Sequence, residues 1–222
     1  MMNKKMKDII IIGAGGLGKE IYSYIVDDIK KGFVNDNIKG FLDDNADNFN
    51  QLGLDKKLYL GMINKYKFNI NDYVIVAIGN IKIRNKIIEY LESKNVNFYT
   101  YIHNSVFMAY DAFVDIGTVI CPNCIIQSNS KIGKHCIINI FCSIGHDSTV
   151  KDYCIFSPYT TLNGNVSIGN NVFMGTRVTV LLGSIIGNNC IVSANTSVKG
   201  IIKDNFMVKD KVSQIQVKNR LI

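Results

Sequence analysis

The chain has 222 residues, of which 47% are hydrophobic and 19% charged, and this composition favours a packed core over disorder. The formal net charge of +7 suits anionic ligands such as phosphorylated small molecules, and also nucleic acid. The basic residues are scattered along the sequence, so we expect no nucleic-acid partner. No segment approaches the roughly 20 apolar residues that span a membrane, so we expect no membrane insertion and a cytoplasmic location.

Strands and helices alternate in the first hundred residues. The apolar run Asp8–Ile12 predicts a strand that leads into the glycine-rich loop GAGGLG (13–18), and a helix is predicted over Lys19–Lys30. The other predicted elements are three strands and a helix, at Ile38–Leu42, Tyr73–Ile78, Asn97–Tyr101 and Lys82–Ser93. With about four strands, this alternation predicts one half of a Rossmann-type α/β domain.

The loop between the first strand and helix has the GxGxxG pattern of a phosphate-binding turn. Its glycines allow backbone N–H groups to approach a phosphate at a helix N-terminus, and the acidic pair Asp43-Asp44 after the second strand is placed to hold a ribose or a base. NAD is the usual ligand of such a loop, but the second mononucleotide half is missing. The pattern therefore favours a nucleotide-linked substrate. The alternative is that the glycines serve only a tight turn.

From Ile102 to Val198 every sixth residue is apolar, and the residue four places after each, from Val106 to Thr196, is Val, Ala, Thr, Cys or Ser. A period of six fits neither a helix nor an alternating strand, but it fits a short strand followed by a sharp corner. The repeat predicts a β-solenoid, in which the aliphatic residue points inward and the small residue fits the corner. Glycine and asparagine, as in GNN at 169–171, tolerate the left-handed backbone of such corners.

The solenoid accounts for most of the six cysteines. Five of them occupy the small position of the repeat: Cys124, Cys136, Cys142, Cys154 and Cys190. A cysteine there acts as a small hydrophobic residue. Cys121-Pro-Asn-Cys124 has the spacing of a redox or zinc CxxC, but the repeat favours a structural interpretation.

Four segments carry a resemblance to a known family: IIGAGGLGKE (11–20), GFLDDN (40–45), VAIGNIKIRNKI (76–87) and SIGHDS (143–148). With them the chain resembles the hexapeptide-repeat sugar acetyltransferases, the bacterial nucleotide-amino-sugar N-acetyltransferases and sialic-acid O-acetyltransferases. The resemblance implies a Rossmann-like nucleotide-sugar-binding domain over residues 1–101. It further implies a left-handed parallel β-helix with the acetyl-CoA and catalytic sites over 102–200, and a C-terminal tail over 201–222.

The same resemblance implies the site residues. The family's histidine and neighbouring acid match His146 and Asp147, as a general base and its orienter, with Asn139 as the alternative orienter. Gly164, within Asn163-Gly164-Asn165, would offer its backbone N–H to the acetyl carbonyl. The implied substrate contacts are Gly13, Gly15, Gly16, Asp43, Asp44, Gly79, Asn80 and Asn139.

The solenoid itself does not require a histidine at position 146. His146 lies two places after Ile144 and two before Ser148, so it occupies neither structural position of its hexad. Histidine, with an unperturbed pKa of about 6.5, suits a general base near neutral pH. His135 stands three places after the aliphatic position, where solvent-facing polar residues recur, so we expect it on the surface. His103 lies at the domain junction.

The implied activity is acetyl-CoA-dependent N-acetylation of a nucleotide-linked 4-amino-4,6-dideoxy sugar, for surface polysaccharide or glycan synthesis, by direct attack in a homotrimer without a metal. O-acetylation of sialic acid or a capsule sugar is the alternative chemistry, and a non-catalytic nucleotide-sensing scaffold is the alternative class. A metal hydratase on the same β-helix would need three histidines as zinc ligands, and the chain has three in total.

Overall fold

A parallel five-stranded sheet forms the first part of the computed structural model, which describes residues 6–210. The strand order is β3-β2-β1-β4-β5. The strands are β1 (Asp8–Ile12), β2 (Asn37–Leu42), β3 (Tyr59–Gly61), β4 (Asp72–Val76) and β5 (Asn97–Phe98). The helices are α1 (Gly16–Lys30), α2 (Ala46–Asn50) and α3 (Ile81–Ser93), with 3-10 turns at Lys56–Leu58 and Ile63–Lys65.

β1 is the central strand of this sheet, and its sequence DIIII explains its position. Ile9 and Ile11 pack into one hydrophobic cluster, whereas Ile10 and Ile12 pack into a second cluster on the opposite side. All four side chains are fully buried. A continuous apolar run of this kind is typical of a parallel strand that is covered on both faces.

The α/β domain differs from the sequence prediction in its short elements and its element ends. β3 and α2 were not predicted, because both are short and largely exposed or half-buried, so neither carries an apolar period. The sheet therefore has five strands rather than about four. α1 begins at Gly16, three residues earlier than predicted, and β5 ends at Phe98 because Tyr101 pairs with Val119 of the following domain.

The second domain is a three-sided parallel β-helix in which each residue pairs with the residue one coil further on, as Ile126 pairs with Ile144. The strands of the first face are Phe107–Met108, Ile125–Ile126, Ser143–Ile144, Thr161–Leu162, Thr179–Val180 and Ser197–Val198. The strands of the second face are Phe113–Val114, Lys131–Ile132, Thr149–Val150, Ser167–Ile168, Ile185–Ile186 and Ile201–Ile202. The strands of the third face are Tyr101–Ile102, Val119–Ile120, Ile137–Ile138, Ile155–Phe156, Phe173–Met174, Ile191–Val192 and Met207–Val208.

The β-helix continues into the segment that the sequence analysis assigned to a C-terminal tail. Ile201–Ile202 extends the second face by pairing with Ile185–Ile186. Met207–Val208 extends the third face in the same way, by pairing with Ile191–Val192. Residues 211–222 of the predicted tail lie outside the described residues. No helix within residues 6–210 is long and apolar enough to cross a membrane.

Turns of four residues connect the strands, and these turns stack into three columns along the β-helix. We call each column a corner and name it after the one histidine that it contains. The His146 corner, between the first and second faces, comprises 109–112, 127–130, 145–148, 163–166 and 181–184. The His135 corner, between the second and third faces, comprises 115–118, 133–136, 151–154, 169–172, 187–190 and 203–206. The His103 corner, between the third and first faces, comprises 103–106, 121–124, 139–142, 157–160, 175–178 and 193–196.

A shared backbone conformation makes the corners equivalent to one another. From residue 117 onward the third residue of a corner has a positive φ, for example 58° at Asp147, 58° at Asn165 and 60° at Asn171. From residue 118 to residue 196 the fourth residue is small and buried, as at Ser148 and Cys154. Asparagine and aspartate tolerate the left-handed region better than other side chains, which accounts for their frequency in the third position.

The α/β domain packs over the lower coils of the third face of the β-helix, whereas Ile191 of its upper coils is exposed. Tyr101, Val119 and Cys121 belong to the same hydrophobic cluster as β1 and α1. The buried carboxylate of Asp28, on α1, accepts a hydrogen bond of 2.8 Å from the Tyr101 hydroxyl. Because the domain packs over this face, the His146 corner lies on the side of the β-helix that faces away from the chain's own α/β domain.

The expectation that His135 lies on the solvent face is wrong. Its ring is 1% exposed, because the α/β domain packs over the lower coils of its corner. The ring centroid lies 4.5 Å from that of Phe98 and 5.4 Å from that of Tyr153, and Nε2 lies 3.2 Å from Glu92 Oε1. Burial, together with the positive charge of Arg84, lowers the pKa of His135 below its ordinary value. His103 lies at the domain junction, as expected, and its Nε2 is 3.7 Å from Asp28 Oδ1.

Candidate active site

His146 and Asp147 form a hydrogen-bonded pair at the surface of the His146 corner. Neighbouring residues of a strand point to opposite faces of the sheet, but these two follow the strand Ser143–Ile144 and lie in the turn. The left-handed backbone of Asp147 brings its carboxylate back to the imidazole, so that His146 Nδ1 lies 2.7 Å from Asp147 Oδ2. The side chains are 53% and 44% exposed, so the pair is accessible to a substrate.

The second ring nitrogen of His146 is directed at Gly164 in the next coil. A Cβ atom at position 164 would lie 2.5 Å from His146 Nε2 and 2.6 Å from Cε1. No side chain fits there without displacing the ring, so the backbone of residue 164 can approach the imidazole only because it is glycine. The carboxylate on Nδ1 favours the tautomer that leaves Nε2 as a proton acceptor.

The N–H group of Gly164 has no acceptor among residues 6–210. The backbone ladder between coils passes on either side of it, since Asn163 N–H donates to Val180 O and Asn165 N–H donates to His146 O, both at 2.9 Å. Gly164 is buried in the corner beside the ring. A free N–H next to a basic ring nitrogen is the combination that acyl transfer uses, one group for the oxyanion and the other for the proton.

Two residues of the preceding coil support the pair, and the sequence analysis did not identify them. Asn129 Nδ2 donates to Asp147 Oδ1 at 2.8 Å, and the N–H of His146 donates to Gln127 Oε1 at 3.1 Å. The hydrogen bonds from His146 first and from Asn129 second hold the pKa of Asp147 below its usual value. The signal was present in the sequence, because Asn129 precedes Asp147 by the three hexads of one coil.

Asn139 does not reach His146 within one chain. It lies in the His103 corner, one face of the β-helix away, and its Oδ1 accepts a hydrogen bond of 2.7 Å from the N–H of Ile140. Of the two orienters that the sequence left open, the structure brings Asp147 to the imidazole.

A second site lies at the carboxyl ends of the sheet strands, around the glycine loop. A cleft of about 360 Å³ is lined by six of the residues implied as substrate contacts: Gly13, Gly15, Gly16, Asp43, Asp44 and Gly79. Asn80 is not part of the lining. Its Oδ1 caps α3 by accepting a hydrogen bond of 3.1 Å from the N–H of Ile83.

The glycines of this loop have different structural roles. A Cβ atom on Gly18 would lie 2.1 Å from the carbonyl oxygen of Gly13, so this glycine permits close packing of the loop against α1. Gly13 has a φ of +99°. A Cβ atom on Gly15 or Gly16 would meet no atom within 4 Å. The backbone of these two residues is therefore open to the cleft at the N-terminus of α1, where an anion is favoured.

The two acids of the cleft also differ. Asp43 Oδ2 accepts from the N–H of Ala14 at 2.7 Å and Oδ1 accepts from the N–H of Asn45 at 2.8 Å, while Asn48 Nδ2 donates to both oxygens. Asp43 thus fastens the glycine loop to the end of β2. Asp44 accepts one hydrogen bond, from the N–H of Ile63 to Oδ1 at 2.9 Å. Within residues 6–210 its second oxygen accepts none, so Asp44 has an acceptor free for a ligand.

The three histidines of the chain lie on three different corners, so one chain does not bring them together as zinc ligands. His103 does lie with Asp27 and Asp28 in a group whose oxygen and nitrogen atoms are within 4.8 Å of one another. These carboxylates are already engaged, Asp28 by Tyr101 and Asn104, and Asp27 by the ammonium of Lys31 at 2.6 Å. The group fastens α1 to the first coil of the β-helix.

Two family models match separate parts of the chain. Residues 8–91 match the PglD N-terminal domain, and residues 129–164 match the bacterial transferase hexapeptide repeats. The resemblance to the hexapeptide-repeat sugar acetyltransferase family is confirmed. The first match lies in the domain that holds the cleft, and the second lies in the β-helix and includes residues 145–148 of the His146 corner.

A curated relative is the GDP-perosamine N-acetyltransferase of Escherichia coli O157:H7, which is 34% identical over 116 residues. The alignment covers 51% of this chain and 52% of the relative. The chain therefore spans about half the length of that protein.

Two solved structures share the fold along nearly the whole chain. The acetyltransferase domain of PglB from Neisseria gonorrhoeae, in complex with acetyl coenzyme A, has a TM-score of 0.78 at 22% identity, and covers 91% of this chain and 96% of its own. PerB from Caulobacter crescentus, in complex with CoA and GDP-perosamine, has a TM-score of 0.75 at 23% identity, with 91% and 94% covered. They confirm the predicted fold class, an α/β domain followed by a left-handed β-helix.

Proposed function

We propose that this protein is an acetyl-CoA-dependent N-acetyltransferase that acylates the amino group of a nucleotide-linked 4-amino-4,6-dideoxy sugar in surface polysaccharide or glycan synthesis. The observation that carries the proposal is the pairing of His146 with Asp147 directly beside the free N–H of Gly164. The glycine-loop cleft, with open backbone at Gly15 and Gly16 and a free oxygen on Asp44, supports a nucleotide-linked substrate. The relative named GDP-perosamine N-acetyltransferase supports an amino sugar as the acceptor.

The chemistry follows from the positions of the three groups. The sugar amine attacks the carbonyl carbon of the acetyl thioester, forming the C–N bond, while its proton passes to His146 Nε2. The carbonyl oxygen becomes an oxyanion that Gly164 N–H stabilises. The C–S bond then breaks, and the CoA sulfur leaves with the proton that His146 returns. Asp147 stabilises the imidazolium between the two proton transfers, and no acyl-enzyme forms.

The assembly that fits this chemistry is a homotrimer. The His146 corner faces away from the cleft of its own chain, so the amino sugar held in one cleft meets the histidine of another copy. Large apolar side chains are exposed on the first and second faces and at this corner, namely Phe107, Tyr110, Phe113 and Ile125, and such exposure is typical of interaction surfaces.

Light scattering tests the trimer. The measured mass is expected to be three times the 24.8 kDa of the chain, and a monomer would contradict the trimer.

We place the protein in the cytoplasm. All six cysteines are free and buried, which suits a reducing compartment where disulfides are rare.

A substrate panel tests the function. Acetyl-CoA is supplied with GDP-, UDP- and dTDP-linked 4-amino sugars, and in parallel with free and CMP-linked sialic acid, and products are identified by mass spectrometry and NMR. We expect an acetamide on the nucleotide-linked amino sugar. Turnover of sialic acid alone would move the function to O-acetylation. Nucleotide-sugar binding without turnover of any acceptor would leave a non-catalytic sensor.

A further inference from the structure

In the corners of the β-helix the N–H of the second residue takes no part in the backbone ladder between coils. In four coils of the His135 corner this N–H is capped by the side chain of the second residue one coil further on. The N–H of Asp152 donates to Asn170 Oδ1 at 3.1 Å, and the N–H of Asn170 donates to Asn188 Oδ1 at 2.9 Å. Lys134 and Asn188 are capped in the same way, by Asp152 and Asp204. In these four coils the second residue of one coil therefore caps the N–H beneath it.

Some other second residues obtain an acceptor from elsewhere. The N–H of Ile140 donates to the preceding residue, Asn139, and the N–H of His146 donates to Gln127, which lies 19 residues earlier. Others, such as Ser128, Thr176 and Ala194, have no acceptor among residues 6–210. Within the coils the capping side chain, where there is one, comes from one of three places: the next coil, the preceding residue, or the preceding coil.

At Gly164 these three sources supply nothing. The residue one coil further on is Leu182, which has no acceptor, and the residue 19 positions earlier is Gly145, which has no side chain. Asn163, the preceding residue, makes no side-chain hydrogen bond within the described part of the chain. Because Asn165 and Gly183 share the left-handed conformation of Asn171 and Asn189, the corner geometry at 164 and 182 matches that at 170 and 188.

Leu182 differs from the capping residues of the His135 corner. It is 66% exposed and has no acceptor, whereas the equivalent positions 152, 170 and 188 are Asp or Asn. An exposed leucine contributes little to the fold, and its apolar side chain excludes a competing polar group from the N–H below it.

We propose that the lack of a hydrogen-bond acceptor at position 182, where the chain has leucine, keeps the Gly164 N–H uncapped for the acyl carbonyl of the substrate. The inference rests on the proposed acetyl transfer. An asparagine at position 182 would reproduce the pair formed by Asn170 and Asn188, so that its Oδ1 accepts the hydrogen bond from Gly164 N–H and competes with the carbonyl oxygen that becomes the oxyanion.

The test compares Leu182→Asn with Leu182→Ala, which removes the same apolar side chain but adds no acceptor. With acetyl-CoA and GDP-perosamine, or whichever sugar of the panel is turned over, kcat of the Leu182→Asn variant is expected to fall by about 10²–10³-fold, the usual effect of losing one oxyanion donor. The Leu182→Ala variant is expected to stay within a few-fold of the wild type, and KM for the nucleotide-sugar is expected to be unchanged in both.

A structural readout separates this inference from the proposed activity. The amide proton of Gly164, followed by ¹H–¹⁵N NMR, is expected to move downfield and exchange more slowly in Leu182→Asn alone. Equal kcat values for the two variants, in a wild-type protein that does acetylate, would overturn the role of Leu182 and leave acetyl transfer standing. A shifted amide in a protein that acetylates nothing would show that Leu182 controls the N–H while the proposed function fails.

Discussion

At the scale of single residues, the pairing at the His146 corner depends on three coils stacked in register. Asn129 holds Asp147 from below, Asp147 holds the imidazole, and Gly164 lies against the ring from above. Each of these residues is 17 to 18 positions from its neighbour in the adjacent coil, so the 18-residue coil, rather than local sequence, builds the site.

Replacing Asn129 with alanine is expected to lower kcat/KM by about 3- to 10-fold, as expected for the loss of one hydrogen bond of roughly 0.5–1.5 kcal/mol. The variant also loses one of the two hydrogen bonds that depress the pKa of Asp147, so that pKa rises. Protonation of Asp147 is then expected to begin at a higher pH than in the wild type. A pH–rate profile measures the fall in kcat/KM, and an NMR titration of the carboxylate measures the change in pKa.

Asn165→Ala is the matched control for Asn129→Ala. Asn165 occupies the equivalent left-handed position one coil above Asp147, with a φ of 58° against 56° at Asn129, but it does not bond to Asp147. If the two variants gave the same profile, the effect would come from the corner backbone rather than from the contact with Asp147.

The family resemblance implied His146 and Asp147, and the repeat supported them because neither residue occupies the aliphatic or the small position of its hexad. The resemblance left Asn139 open as a second orienter, because the sequence alone does not show that Asn139 and His146, which are seven residues apart, lie in different corners of the β-helix. The structure places a full face of the β-helix between Asn139 and His146. Asn129 carried a signal only in the 18-residue spacing of the coil, which becomes meaningful once the coils are known to be stacked.

At the scale of elements, the glycine loop and the first turn of α1 contain glycines of two kinds. Some have no room for a Cβ atom and others do, so substitution with alanine is expected to affect them differently. Gly18→Ala is expected to destabilise the protein strongly, because its Cβ would lie 2.1 Å from the backbone oxygen of Gly13. Gly15→Ala meets no atom within 4 Å, so we expect the free energy of unfolding to change by no more than about 0.5 kcal/mol. Thermal or urea unfolding measures both changes.

The same Gly15→Ala variant tests the cleft. If the Gly15 backbone approaches the nucleotide phosphates, the added methyl group blocks that approach, and we expect a loss of nucleotide-sugar affinity in calorimetry without a loss of stability. Unchanged affinity for the sugars that are turned over would mean that these glycines serve only the turn between β1 and α1.

Elements with a long apolar period were predictable from the sequence, whereas short, half-buried elements were not. β1 and the β-helix strands carry unbroken patterns that a sequence displays directly. β3 has three half-buried residues at the sheet edge, so its pattern is too short to separate from a loop. The repeat also hid where the β-helix ends, because the strands at Ile201–Ile202 and Met207–Val208 follow a coil shortened by two residues.

At the scale of the whole molecule, docking of the α/β domain on the third face decides which corners are buried and which stay free. This packing was not predictable from the hexad of His135, because the repeat assigns that position to the surface and only the second domain covers it. The ring of His135 is enclosed by Phe98 and Tyr153, with Arg84, Glu92 and Asp152 as the charged groups around it.

The lowered pKa of His135 predicts a loss of stability in acid. In the folded protein His135 binds a proton only at a lower pH than in the unfolded chain, where it does so below about pH 6.5. The unfolded state therefore binds more protons, and the free energy of unfolding falls as pH decreases from about 6.5, by at most about 1.4 kcal/mol per pH unit from this group. Melting temperatures at pH 7.5 and 5.5 measure the loss.

His135→Phe keeps an aromatic ring between Phe98 and Tyr153 but removes the titrating group. We expect this variant to lose less stability between pH 7.5 and 5.5 than the wild type does. Parallel curves for the two proteins would assign the acid sensitivity to other groups at the domain interface.

The most direct test of the account as a whole is the rate of acetyl transfer by His146→Ala relative to the wild type, on the nucleotide-linked amino sugar that the wild type acetylates. His146 is exposed and does not contribute to the core, so the variant is expected to fold and to bind the nucleotide-sugar normally. The account predicts a fall in kcat of about 10²–10⁴-fold, the usual contribution of a general base. A kcat equal to that of the wild type would contradict it.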